Sequence, residues 1–193
     1  MIDEHRLTAL WEVAERLMPR SGSHSIEHTR RVYGLCLLLG RKLGADLDIL
    51  LPAAILHDTG RRREVVDHAE ESTRLSEEVL KELGFNEQEI KQIIEAIRTH
   101  SFGGDCRPIS LEAEILSDAD RLDAIGAVGV YRAAAYASEE DRTIKDFIDH
   151  FYEKLLKLPD LLYTKPAREM ALQRRKFMVR YLKQLDDELR LDL

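Results

Sequence analysis

The chain is short of cysteine, glycine and proline, carries an excess of acid over base, and has no long apolar run. Its two cysteines, Cys36 and Cys106, form no C-x-x-C unit, and Cys36 stands among Leu35, Leu37 and Leu38 as a small core residue rather than a reactive thiol. Ten glycines and five prolines in 193 residues argue against a β-sandwich or a disordered chain and favour long helices. No apolar stretch approaches the roughly 20 residues needed to cross a bilayer, so no membrane partner is expected. The opening Met1-Ile2-Asp3-Glu4-His5-Arg6 lacks the apolar core of a signal peptide, and the expected location is cytoplasmic. Twenty-nine Lys and Arg against 36 Asp and Glu leave a net charge of −7, which disfavours long nucleic acid as the main ligand; a local basic cluster can still hold a phosphate. There is no repeat, low-complexity tract or flexible linker. What remains, 44% hydrophobic and 34% charged residues, suits one all-α domain over 1–193.

Periodicity and stop signals predict eight or nine helices. An amphipathic opener runs from about Glu4 to Met18 and ends at Pro19 and the Ser21-Gly22-Ser23 turn. The second starts near His24 to Glu27 and is stopped by Gly44; the third, capped by Asp46 or Asp48, passes Pro52 to reach His57. A fourth begins at Asp67 and ends at Gly84. Asn86 caps a fifth that reaches His100, and Ser110 caps a sixth toward Asp120 and Leu122. The Ala-rich stretch 124–137 continues or follows it, and further helices occupy about 143–157 and 166–190.

Ionisable residues fall on the apolar faces of these helices. His28 leads Val32, Leu35 and Leu39 at spacings of four, three and four; His57 follows Leu50, Ala53 and Ala54; His100 extends Ile90, Ile93 and Ile97; Asp120 lies one turn beyond Leu116. A single inward histidine is more often a hydrogen-bonded core residue than a ligand. Four helices that each aim such a group inward near an end make coincidence a poor account, because burying a charge without a partner costs several kcal/mol. A metal ion is the simplest common partner. Imidazole and carboxylate donors without thiolate suit one octahedral divalent ion, Mn²⁺, Mg²⁺, Fe²⁺, Co²⁺ or Ni²⁺, with open positions for water and substrate. Such a site implies hydrolysis of a phosphate ester or anhydride.

The ordered set His28, His57-Asp58, Asp120 resembles the H…HD…D signature of the HD-domain metal-dependent phosphohydrolases. Its surroundings, E-H-T-R-R-V at 27–32, L-H-D-T-G at 56–60 and D-A-D-R-L-D-A-I-G-A at 118–127, together with the tail K-L-L-K-L-P-D-L-L-Y-T-K-P-A-R, look like the small stand-alone bacterial YedJ/YpgQ-like subgroup. The resemblance spans nearly the whole chain. It implies a single-domain all-α HD-domain helical bundle, with a metal-site core at about 24–125 and C-terminal helices at about 143–190 packed on it. It makes His28, His57, Asp58 and Asp120 the metal ligands. His68 and His100 resemble in order the extra ligands of binuclear HD phosphodiesterases, so a second ion is allowed; the alternative is that they bind phosphate or transfer protons. His68, Asp58 and Asp123 form the expected catalytic set, and Arg61, the first of three arginines after the HD pair, and His100 the expected substrate contacts. Asp118 is expected behind the ligands, and Arg121 to turn away toward an acid. The subgroup often has H-D where this chain has His24-Ser25; the lost carboxylate either weakens a contact behind the ligands or is compensated by His24, and the sequence is compatible with both.

The implied activity is hydrolysis of a small phosphorylated substrate, a nucleotide, with nucleoside triphosphates cleaved to the monophosphate and pyrophosphate. Alternatives are a nucleoside monophosphate phosphatase or a phosphodiesterase, and, from another class, a non-catalytic metal- or nucleotide-binding sensor module. A homodimer is compatible with the sequence.

Overall fold

The computed structural model describes residues 3–60, 68–100 and 107–191; for 68 and 69 it describes the backbone alone. Helices dominate the described residues, without a strand among them: α1 Glu4–Leu17, α2 Ile26–Leu43, α3 Leu47–Leu56, α4 His68–Glu82, α5 Glu87–Thr99, α6 Leu111–Asp123, α7 Gly126–Glu139, α8 Ile144–Glu153 and α9 Lys165–Arg190. None is long and apolar enough to cross a membrane. The all-α expectation holds, and the boundaries follow local chemistry. Asp46 accepts from the Asp48 amide to cap α3, Asn86 and Glu89 form a capping box on α5, and the Ser110 hydroxyl accepts from the Ala113 amide at the start of α6. Gly44 ends α2 in the left-handed region at φ 74, where a side chain would be strained. One stretch departs from expectation: after Glu153 the chain tightens into a 3₁₀ segment, Leu155–Leu161, around Pro159, so residues 155–157 are not α-helical.

Contacts divide the chain into two compact units, Met1–Asp120 and Arg121–Leu193. In the first, α3 is the central rod. Every residue from Ile49 to Leu56 is buried, and the helix packs against α1, α2 and α5. A helix apolar on all sides can only be satisfied by neighbours on all sides. Cys36 is buried in α2, as expected, and burial pushes its thiol up; Cys106 lies outside the described residues. In the second unit α7, α8, the 3₁₀ segment and α9 enclose Phe147, Phe151, Leu155, Leu158, Met178 and Leu182, with Phe147 and Phe151 edge to face at 5.0 Å. The stem of Arg174 packs over Gly126, where a Cβ would stand 2.9 Å from Arg174 Cγ, and its guanidinium donates to the Leu122 carbonyl at the end of α6. Asp123 and Arg132 form a buried ion pair at 3.1 Å.

Candidate metal centre

The first unit brings together the ends of α3 and α5, the first turn of α2 and the last turns of α6. His57 and His100 are both C-cap residues with α-helical backbone. Each ring places Nδ1 on the carbonyl three residues back, His57 on Ala54 at 2.8 Å and His100 on Ile97. A carbonyl only accepts, so both Nδ1 atoms carry the proton and both Nε2 atoms present a lone pair inward. The orphan carbonyls at two helix ends thus fix the tautomers and aim the two rings. Ser117, one turn before Asp120 on α6, donates to the His100 carbonyl at 3.1 Å and ties α6 to that corner.

His28, in the first turn of α2, completes the imidazole set. Its Nε2 lies 3.2 Å from His57 Nε2, 3.4 Å from Asp120 Oδ1 and 3.6 Å from Asp58 Oδ2. Asp58 faces two ways. Oδ2 stands 3.9 Å from His57 Nε2, and Oδ1 stands 3.9 Å from His100 Nε2. His28 and His57 are fully buried, Asp58 and His100 nearly so, while Asp120 keeps 27% of its side chain accessible. Among the described residues the cluster meets solvent at Asp120 and at His24, whose side chain is 31% accessible.

Electrostatics agree with a cation-ready cluster. Burial drives the His57 pKa down from 6.5 to about 4, against the pull of Asp58, so the ring is neutral at pH 7 and free to ligate. Burial alone would raise the Asp120 carboxyl; its hydrogen bond with His28 and the potentials of His28, His100 and His57 overturn that and hold it well below the usual carboxylate range. Three overlapping triads offer ligand atoms within 4.8 Å of one another: His24, His28 and Asp58; His28, His57 and Asp120; His57, Asp58 and His100. Donors with bonds of about 2.1 Å in an octahedral shell stand about 3 Å apart when adjacent and about 4 Å when opposite. The observed separations fall across that range, and nitrogen lone pairs facing carboxylate oxygens repel unless a cation or proton sits among them. The residues present therefore fit a divalent ion.

His28, His57, His100 and Asp120 converge as the helical spacing suggests, and Asp58, which the resemblance adds, converges with them. Arg61 lies outside the described residues, as does the His68 side chain. Asp118 is buried on α6. Asp123 pairs with Arg132. Arg121 turns away as expected, but the partners it takes among the described residues are not acids: its Nη1 donates to the Leu161 carbonyl at 3.1 Å and its guanidinium lies over the Tyr163 ring. Arg174 caps α6, and the neighbouring Arg175 pairs with Asp160 at the surface. One member of the cluster was not in the sequence-derived set. His24 precedes the α2 cap, where helical periodicity carries no signal, and only its place in the H-S dipeptide marked it; its Nδ1 lies 3.2 Å from Asp58 Oδ2.

Comparison with known proteins extends these observations. The HD domain family matches residues 25–125, the span that holds all the converging residues except His24. YpgQ of Bacillus subtilis is 34% identical over 186 residues, covering 90% of this chain and 88% of YpgQ. A crystal structure of YpgQ in complex with ADP superposes with a TM-score of 0.80 at 31% identity, over 94% of this chain and 97% of that one. A Lactobacillus plantarum protein gives a TM-score of 0.83 at 30% identity, over 99% and 100% of the two chains. An HD-superfamily hydrolase of Bacillus thuringiensis gives 0.76 at 32% identity, over 97% and 96%. With the H…HD…D residues gathered in one buried cluster inside the matched span, the chain belongs to the HD-domain family of metal-dependent phosphohydrolases.

Proposed function

We propose that the chain hydrolyses nucleotides, and specifically that it cleaves nucleoside triphosphates to the monophosphate and pyrophosphate. The observation that carries the reading is the buried convergence of His28, His57, Asp58 and Asp120, with donor separations of 3.2 to 3.9 Å and the His57 tautomer fixed by Ala54. These four residues are the proposed ligands of one divalent cation from the set Mn²⁺, Mg²⁺, Fe²⁺, Co²⁺ and Ni²⁺. The chemistry supplied by such an ion is an activated water near neutral pH and a counter-charge for phosphoryl oxygens.

The protein's own residues divide the remaining work. Ala54 and Ile97 hold two imidazoles in register, so little reorganisation is needed when substrate arrives. The accessible side chain of Asp120 gives the substrate an approach. Arg61 is the proposed phosphate contact and His68 the proposed proton-handling group. That YpgQ is seen with ADP supports a nucleotide ligand here; release of pyrophosphate is what the resemblance of the sequence motifs to the YpgQ-like subgroup implies. Such a substrate suits the cytoplasm. A second reading has one observation in its favour: His100 Nε2 presents a lone pair toward Asp58 Oδ1 at 3.9 Å, which suits a second cation held by His100 and shared through the Asp58 carboxylate.

The test is a panel of nucleoside mono-, di- and triphosphates with each metal, with products assayed separately as pyrophosphate and orthophosphate and Asp58→Ala as the control. Pyrophosphate from triphosphates, lost in the variant, is the expected result. Orthophosphate from monophosphates would move the assignment to a phosphatase. No turnover with any metal, or turnover unchanged in Asp58→Ala, would overturn the catalytic reading.

A further inference from the structure

The structure assigns His24 as a positioning residue that orients the Asp58 carboxylate for metal binding, an inference that rests on the metal-site reading above. An ionised carboxylate has no proton to give, so in the 3.2 Å contact His24 Nδ1 is the donor and Asp58 Oδ2 the acceptor. Asp58 belongs to a four-residue turn after α3 rather than to a helix, and its two oxygens serve different neighbours: Oδ2 faces His28 and His57, Oδ1 faces His100. Rotation about its side-chain torsions would remove both sets of contacts at once. The His24 hydrogen bond pins one oxygen and thereby fixes the other.

His24 is suited to that role by its surroundings. Its ring meets the His28 ring edge to face at 5.8 Å, and its side chain is 31% accessible, so it stands at the rim of the cluster, outside the nearly closed group of His28, His57 and Asp58. The next residue, Ser25, is buried and caps α2 without a side-chain hydrogen bond to the helix. Partners that orient a metal ligand in this way are worth about 10- to 100-fold in metal affinity.

The test measures Mn²⁺ affinity by calorimetry on the full chain stripped of metal, for the wild type, His24→Ala and His24→Asn, with metal-free melting temperatures recorded alongside. The asparagine amide can donate from about the place of Nδ1 but is a poor ligand. We expect His24→Ala to bind Mn²⁺ about 10- to 100-fold more weakly and His24→Asn to recover most of that loss, with metal-free melting temperatures close to the wild type. Affinity in His24→Ala equal to the wild type would overturn the inference and leave the metal site standing. Failure of His24→Asn to recover affinity, while its metal-free form stays folded, would make His24 a direct ligand and overturn the positioning role. If the wild type bound no Mn²⁺, the metal-site reading itself would fall and the inference with it.

Discussion

A buried neutral histidine should make the metal-free protein sensitive to mild acid, with a size set by the environment of His57. Its pKa is about 4 in the folded chain against 6.5 in an exposed one, so the unfolded state takes up a proton over a pH range in which the folded state refuses it. The sign follows directly: stability rises with pH wherever the unfolded chain binds more protons, so this contribution is intact above pH 6.5 and is lost as pH falls toward 4. At about 1.4 kcal/mol per pKa unit, the loss between pH 7 and pH 4 is about 3 kcal/mol, a large part of the 5–15 kcal/mol typical of a folded domain. Asp120 acts in a different window. Its pKa is depressed, so its contribution is present above pH 3.8 and disappears only below that. The assay is urea unfolding in EDTA at pH 7, 5.5 and 4 for the wild type and His57→Asn, a substitution that keeps a donor for the Ala54 carbonyl but cannot titrate. Groups outside the cluster titrate alike in both proteins and cancel in the difference. The stability gap between wild type and variant should narrow by about 3 kcal/mol from pH 7 to pH 4. Parallel pH curves would refute the reasoning, because they would mean that His57 is not held neutral by burial.

Further outcomes follow from backbone and ion-pair geometry. A Cβ at Gly60 would stand 2.3 Å from the Ser72 amide nitrogen and 2.6 Å from the Glu71 carbonyl carbon, both backbone, so Gly60→Ala should lower stability by about 1–3 kcal/mol in thermal melts. Gly34 lies in α2 with nothing within 4 Å of the same position, so Gly34→Ala should raise stability by about 0.5–1 kcal/mol, and equal effects at the two sites would contradict the packing described. Removing Arg132 from its buried pair with Asp123 should cost about 3–5 kcal/mol, whereas Asp123→Leu with Arg132→Met should recover most of it; a double variant no better than the single would show that the pair contributes net stability.

Much of this arrangement was legible in the sequence because periodicity reports which face of a helix is buried. His28, Asp120 and His100 each extend an apolar stripe by one turn, and all three reach the cluster. Caps were equally readable, since Asp46, Asn86 and Ser110 act within a few residues of themselves. Two kinds of information were not. His24 and Asp58 lie outside helical segments, where spacing says nothing about direction, so their hydrogen bond depends on how the α2 entry meets the turn after α3. The other is competition among arginines. Local sequence allowed Arg121 to seek an acid, but the structure supplies the Leu161 carbonyl and the Tyr163 ring, partners about 40 positions along the chain.

The central claim, that this cluster is a divalent-ion site in which Asp58 is essential, is tested most directly by electron paramagnetic resonance of free Mn²⁺ during titration into metal-free protein. Loss of the six-line signal until about one ion per chain is bound, and no such loss with Asp58→Ala that remains folded by circular dichroism, is the predicted result; saturation near two would support the second site at Asp58 and His100. A signal that rises from the first addition in the wild type, or identical titrations for wild type and variant, would contradict the account.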